Sequence, residues 1–534
     1  MRRQPEKLGF TLNPAEHGFS KGASIPEALW FHAPTLTLIL KRPVIPDPIR
    51  QMSRISALPL PPTRTHRHRG SNGTLKRLTR RCRPIFLAVL ALPTSLRANS
   101  VEGYAGRVSY APGEELTLHV STTAPTFSFE ITRLGAKSES VLKKDAIPGA
   151  NHPIPENSSS HGCGWPAALK VPIPADWNSG YYHVTLSAGE SKSSCYFVLR
   201  ESPDAVEPAP ILLQLATNTY NAYNNWGGFS LYAFNGLGKN QGHRVSFHRP
   251  PSSQFGKWEQ VFVTWAEKNN IPLAFAANSD LEFHPDVLKN RRLVISVGHD
   301  EYWSAPMRDT VESFIGEGGN VAFLSGNTCC WQVRSEDRGS ALTCWKQNYH
   351  SDPVYGARKE YDLLSSLWSH DLIGRPENTL TGVGFLWGGY HKSHGQHMDG
   401  SGAFTAHRTD HWIFEGTGLK PNDPIGGKHT VVGYECDGCE IEWREKLPFP
   451  THRDGTPKNF QILATAPARW HPDDCQWYGK WENGREGNAV LGIYERGGTV
   501  VTTGTTDWAH GLRGGDPVVE RMTKNIIKKL SQPK

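Results

Sequence analysis

Between Leu293 and Val297 the chain reads Leu-Val-Ile-Ser-Val, and the six residues that follow are Gly298-His299-Asp300-Glu301-Tyr302-Trp303. The first part has the length and β-branched content of a strand covered on both faces, and Ser304-Ala305-Pro306 is a helix start with Pro in its first turn. Such a strand empties His, Asp, Glu and Tyr into one turn at its carboxyl end, where ligands bind in an open α/β sheet. Whether this is a site depends on which other strands end on the same edge.

Ile211 to Ala216, Leu273 to Ala277, Val321 to Leu324 and Thr499 to Thr503 also read as strands. They alternate with helical patterns at Trp258 to Lys268, Ala305 to Gly316 and Pro517 to Leu530. This rhythm predicts an α/β fold with a mostly parallel sheet over 211–534. A long Trp- and Gly-rich insertion, about 334–498, is expected to roof the sheet edge. Residues 99–200 instead carry short alternating segments, such as Leu116 to Ser121 and Tyr181 to Leu186, separated by turn residues. They predict an all-β immunoglobulin-like sandwich, joined to the α/β part by a Pro-rich linker over 201–210.

The net charge of +7 is misleading. Of 58 basic and 51 acidic residues, 17 and 4 lie in the first 98, which leaves 41 and 47 for the rest. A mildly acidic body argues against a nucleic-acid partner, since phosphate binding needs clustered Lys and Arg. Residues 1–75 lack periodicity and read as a disordered or spurious extension. Residues 76–98 join a basic segment to the apolar run Ile85 to Leu92, as a signal peptide does, so the protein is expected to be secreted or periplasmic. That run is too short to span a bilayer, and no transmembrane helix is expected in the mature chain. Eight cysteines follow Cys82, an even number that suits disulfides, with Cys163–Cys195 a plausible staple. Cys436-Asp437-Gly438-Cys439 has no second metal-binding pair, so a disulfide or a paired turn is the better reading than zinc.

Four strand ends deliver polar residues. The first runs into Asn218-Thr219-Tyr220-Asn221-Ala222-Tyr223-Asn224-Asn225-Trp226, the strand at Val321 into Ser325-Gly326-Asn327, and the last into Thr505-Thr506-Asp507. Four ends on one edge make a cleft the better reading. His299, Asp300 and Glu301 are candidates for proton transfer, with Asn327 to orient a carbonyl. Tyr302 and Glu301 offer hard oxygen donors for a metal such as iron. Asn218, Tyr220, Asn224, Trp226 and Asp507 are candidate substrate contacts. Against this, Asp300 and Glu301 could simply cap the helix near Ser304, and for Trp226 and Trp303 packing is the preferred reading of the residues. There is no nucleophile elbow, dinucleotide fingerprint, phosphate loop or His-Glu-x-x-His. Cys329-Cys330 has no adjoining His. His391, His394 and His397 suit a solvated loop better than a metal site, and Glu435 is either a carboxylate donor or an ordinary strand residue.

Gly298 to Trp303, Asn218 to Gly228 and Gly326-Asn327-Thr328 resemble the N,N-dimethylformamidase large-subunit-like family. Val101-Glu102-Gly103-Tyr104, Gly416 to Leu419 and Gly504 to Trp508 add to the likeness. The resemblance spans about Val101 to Leu530. It implies a β-sandwich followed by a glutamine-amidotransferase-like, flavodoxin-like α/β domain. It also implies hydrolysis of a small formamide at one iron ion held by two tyrosinates and a carboxylate. By motif position Tyr302 matches one of these tyrosines. The second is sought among Tyr220, Tyr223 and Tyr232, with Tyr223 carried as the ligand candidate.

The leading expectation is an exported hydrolase of a C–N amide-type bond. A metal-activated water attacks, Glu301 or His299 handles protons, and Asn327 orients the carbonyl. The substrate is a small molecule or a glycan. One rival is a non-catalytic carbohydrate- or cell-wall-binding protein with Tyr220, Tyr223 and Trp226 lining an aromatic cleft. Another is a metal-free enzyme on sugars using Asp300 and Asp507 as a carboxylate pair.

Overall fold

In the computed structural model, residues 99–202, 204–393, 396–397, 401–470 and 486–533 are described. The extension over 1–75, the signal-like stretch up to Ala98, His394 and Cys475 lie outside the described residues.

Along Glu115–Thr122 and Thr126–Leu134 buried and less buried residues alternate, which is how a strand with one dry face is written. Val101–Ala105, Glu115–Thr122 and Ala167–Pro172 form one sheet. Ser109–Tyr110, Ser191–Leu199, Gly180–Ala188, Thr126–Leu134 and Glu139–Pro148 form another. Leu116, Leu118, Phe129, Ile131, Val184 and Phe197 fill the space between them.

The second half is built on an 11-stranded sheet. Leu293–His299 is an interior strand of it, third from one edge, and every residue of it is buried. Its side chains alternate between two cores: Leu293, Ile295 and Val297 face one, and Val294 faces the other. Glu259–Lys268 and Pro517–Leu530 cover the first face, and Ala305–Gly316 the second. Asp516 caps Pro517–Leu530 by accepting from the Val518 and Val519 amides at 3.0 and 3.1 Å.

The mostly parallel α/β architecture is not what forms. Ala274–Ala277, Ile211–Leu215, Leu293–His299, Asn320–Gly326 and Gly498–Thr502 are parallel neighbours in that order. Beyond Gly498–Thr502 the sheet continues with Glu486–Arg496, Gln461–Arg469, Gly384–Tyr390 and Glu435–Gly438, all antiparallel. The protein is mostly β, 36% strand against 23% helix, with mixed and antiparallel sheets. The insertion was expected to lie over the sheet as a roof. Its strands instead lengthen the sheet, because antiparallel pairing needs no crossover helix and so leaves no α/β rhythm in the sequence. A smaller sheet of Arg244–Ser246, Ala341–Thr343, Trp331–Glu336 and Tyr302–Ser304 sits beside it.

The seven described cysteines are all free and buried. The Cys163–Cys195 staple is not made: Cys163 packs with Tyr104 and Trp165, and Cys195 lies in the sandwich core. Cys436 and Cys439 belong to cores on opposite faces of the large sheet. No described helix is long and apolar enough to cross a membrane.

The sandwich is tied to the second half by charge. Arg200 donates to Asp280 Oδ1 at 3.0 Å, and Ser109 donates to Oδ2 at 2.7 Å. Both ionic partners are buried. Asp280→Ala would leave the Arg200 guanidinium buried without its carboxylate, an expected loss of about 3 kcal/mol. Urea unfolding of the two proteins measures it, and an unchanged midpoint would show that the pair contributes nothing.

Candidate active site

Gly298 is the last residue before the turn, with φ +83°, and a side chain there would sit 2.4 Å from Trp258 Cβ. A residue without a Cβ lets the strand end pass under the indole and aim His299 and Glu301 to one side. Thr219 fixes the turn by accepting the Glu301 amide at 2.9 Å. Tyr302–Ser304 then pairs in parallel with the strand starting at Trp331, which brings the Trp331 indole over Glu301.

Glu301 is 3% exposed, and its carboxylate is the centre of the site. Tyr232 donates to both oxygens at 2.8 and 2.9 Å, Tyr223 to Oε2 at 3.1 Å, and Trp331 Nε1 to Oε1 at 2.7 Å. Tyr302 donates to the Tyr232 hydroxyl at 2.7 Å. His299 Nε2 lies 3.2 Å from Glu301 Oε2 and 2.9 Å from Glu435 Oε2. The Glu435 contact is close but poorly aligned, so this buried oxygen accepts no proper hydrogen bond. Asn327 Nδ2 is 3.4 Å from the same His299 nitrogen. Lys346 Nζ rests 3.3 Å from the centre of the Tyr232 ring, a buried cation on the far side of the phenols.

The electrostatics follow from this packing. Burial alone would lower the His299 pKa, but Glu435 and Glu301 outweigh it and raise it to about 10. Burial alone would raise Glu301, but His299 and then Lys346 hold it below the usual carboxylate range. Burial, then the Glu301 charge, pushes Tyr223, Tyr232 and Tyr302 well above the ordinary phenol value. Burial brings Lys346 down to about 8. The result is an anion wrapped in protonated donors, with a second carboxylate facing the same imidazole.

Three phenol oxygens around a carboxylate are a hard-donor set suited to a cation such as ferric iron. The protons of Tyr223 and Tyr232 now satisfy Glu301, and a cation bound there would take their place. Among the described residues no group of three or more His, Cys, Asp or Glu has metal-site spacing. The phenols would therefore have to complete any such site.

Residues 128–524 match the model of the family described as N,N-dimethylformamidase beta subunit-like, C-terminal. The chain belongs to this family. It is 23% identical over 444 residues to the N,N-dimethylformamidase beta subunit of Paracoccus aminophilus, covering 68% of this chain and 54% of that protein. It is equally identical over 447 residues to the beta subunit from Alcaligenes sp, covering 69% and 54%. The chain thus spans about half the length of these curated relatives. Among solved structures, the sporulation control protein Spo0M of Bacillus subtilis aligns at TM-score 0.14 and 14% identity, over 20% of this chain and 51% of that one. This is too slight to bear on the fold.

Within this dimethylformamidase-like chain His299, Glu301, Tyr302, Tyr223 and Asn327 come together. Asp300 does not join them. It turns the other way, accepting from Asn278 at 3.1 Å and Ser296 at 2.9 Å. Asp507 accepts from Trp258 Nε1 at 2.8 Å and lies 3.6 Å from His510, so it shares no hydrogen-bond partner with Asp300. Neither Asp300 nor Glu301 caps the following helix; Ser304 accepts the Met307 amide there.

Most of the expected substrate contacts are structural. The first strand runs directly into the helix Thr217–Tyr223. In a helix Thr219 and Tyr223 share a face, while Tyr220 is rotated about 100° from Thr219. Tyr220 is therefore buried on the other side, donating to Glu259. Asn218 donates to the Tyr302 carbonyl at 3.1 Å, and Asn224 to that of Pro250 at 3.0 Å. Trp226 donates to Glu102 and packs edge-on against Trp165 of the sandwich. Tyr220, Tyr223 and Trp226 thus line no common cleft. His391 Nδ1 donates to the Pro467 carbonyl, 2.6 Å away.

Glu435, Trp331, Lys346 and Tyr232 complete the cluster. Glu435 and Tyr232 had visible chemistry without a visible address. Trp331 and Lys346 gave no signal at all, because only the pairing of the small sheet brings them near Glu301.

Burial raises the Glu259 carboxyl to about 7, against 4.5 ordinarily. The folded protein therefore keeps a proton that the unfolded chain loses, so stability falls as pH rises from about 4.5 to 7, by up to about 3 kcal/mol. Glu259→Gln keeps a partner for Tyr220 without the charge. The difference in unfolding midpoint between variant and wild type should grow over that window and be flat above it; a constant difference would refute the assignment.

Proposed function

We propose that this chain hydrolyses the C–N bond of an amide at the Glu301 cluster. The observation that carries the reading is Glu435: a buried carboxylate oxygen with no well-aligned donor, 2.9 Å from the imidazole that also contacts Glu301. Such an oxygen can take a proton from water, and the imidazole can pass one to a leaving amine.

The substrate carbonyl is oriented by Asn327 Nδ2, which stands beside His299 on a loop fixed from below. Asp437 accepts the Thr328 amide at 3.0 Å there. A side chain on Gly326 would meet the Thr506 amide at 2.4 Å, so this loop can approach the last strand only as glycine. Water oxygen adds to the carbonyl carbon, its proton goes to Glu435, and His299 protonates the nitrogen as the C–N bond breaks. The products are a carboxylic acid and an amine. One iron ion held by the Tyr232 and Tyr302 oxygens and the Glu301 carboxylate would supply Lewis acidity to the carbonyl and the water. Lys346 would balance the negative charge of deprotonated phenols from behind.

The family membership supports this reading, since its named relatives are dimethylformamidase subunits. Glu435→Gln should lower turnover of a formamide by about 100-fold or more, with an unchanged unfolding midpoint and iron content. Glu301→Gln and Tyr302→Phe should lose iron and the visible phenolate band as well. Full turnover in both Glu435→Gln and Glu301→Gln would end the proposal.

A further inference from the structure

The rim of the buried cluster is aromatic on two sides. The Tyr434 ring, half-buried, is 6.2 Å from His299, and the Trp258 ring is 5.8 Å from it. Lys257 lies outside them, with Nζ 3.9 Å from the centre of the Trp258 ring and 5.3 Å from that of Tyr434. Two aromatic faces hold a long exposed side chain in one place and lower the entropy cost of using its charge. These distances put the ammonium no more than about 10 Å from His299, one Debye length at moderate salt.

Burial lowers the Lys257 pKa, and the charges that oppose this are the carboxylates of Asp507 and Glu435. Burial lowers the His510 pKa, and although Asp507 opposes this, Arg513, Lys257 and Lys392 add to it, so three cations stand close to this imidazole. Asp507 is the acid in contact with His510, and it is also engaged by the Trp258 indole. Among the described residues no carboxylate lies within 4 Å of Lys257. A neutral formamide has nothing to offer such a rim. An amide that also carries a negative charge has.

We propose that the substrate is an amide bearing an anionic group, a carboxylate in the simplest case, with Lys257 as its specificity-determining contact. The amide carbonyl sits at Asn327 and His299, and the anion reaches out between Trp258 and Tyr434 to the ammonium. This rests on the amide-hydrolase reading of the Glu301 cluster, and the reaction is the same hydrolysis.

The test compares N-formylglycine with uncharged N-formylglycinamide, by formate release and by calorimetric binding, in wild type and Lys257→Gln. Wild type should favour the carboxylate in kcat/KM by about fivefold or more, the worth of one well-placed ion pair. The preference should shrink as sodium chloride is raised and fall towards parity in Lys257→Gln. Parity in wild type, or equal losses on both substrates in the variant, would overturn the proposal and leave the hydrolase reading intact. Binding that favours the carboxylate through Lys257 without formate release would uphold the selective rim and count against formamide hydrolysis. Neither release nor a binding preference would overturn both.

Discussion

The Glu301 carboxylate is almost completely removed from water, and an isolated anion in that position would cost several kcal/mol. The fold meets this cost with donors from four separate segments. Tyr223 ends the first helix, Tyr232 follows it in a loop, Trp331 starts a strand of the small sheet, and His299 shares the turn. No one of these could be placed without the sheet that orders the others. Stabilising one charge and assembling one site are here the same structural problem.

The turn itself was legible because its chemistry is written in six consecutive residues. The strand predicted from Leu293 runs Leu293–His299, and the helix expected from Ala305 to Gly316 has those ends. What failed was inference at a distance. Alternating strands and helices suggested one parallel sheet, but the strands between Gly384 and Arg496 pair antiparallel, several of them with partners distant in sequence, and nothing in their local pattern names the neighbour. Tyr220 was taken for a site residue because helix and loop give the same run of letters; one turn of helix moved it into the core. Trp226 had the right composition for a ligand platform, yet a tryptophan packs a domain junction just as well. Lys346 illustrates the opposite failure, a residue whose meaning comes wholly from tertiary contact.

The mixed sheet also explains why the site has two carboxylates of different character. Glu301 is delivered by the parallel half and arrives fully partnered. Glu435 begins the strand Glu435–Gly438, whose start is held against Thr505 and Thr506 just beyond Gly498–Thr502, and its Oε2 stands 2.9 Å from His299. The His299 imidazole thus stands between one carboxylate from each half of the sheet.

The strand Gly498–Thr502 pairs with Asn320–Gly326 on one side and Glu486–Arg496 on the other, so it is the seam between the two halves of the sheet. It is also the last strand among the described residues. During synthesis the parallel half emerges first with an open edge, and the antiparallel half follows with an edge of its own. Neither edge can close until the seam strand leaves the ribosome. A nascent chain that lacks this strand therefore carries two unpaired strand edges, each a template for pairing with another chain.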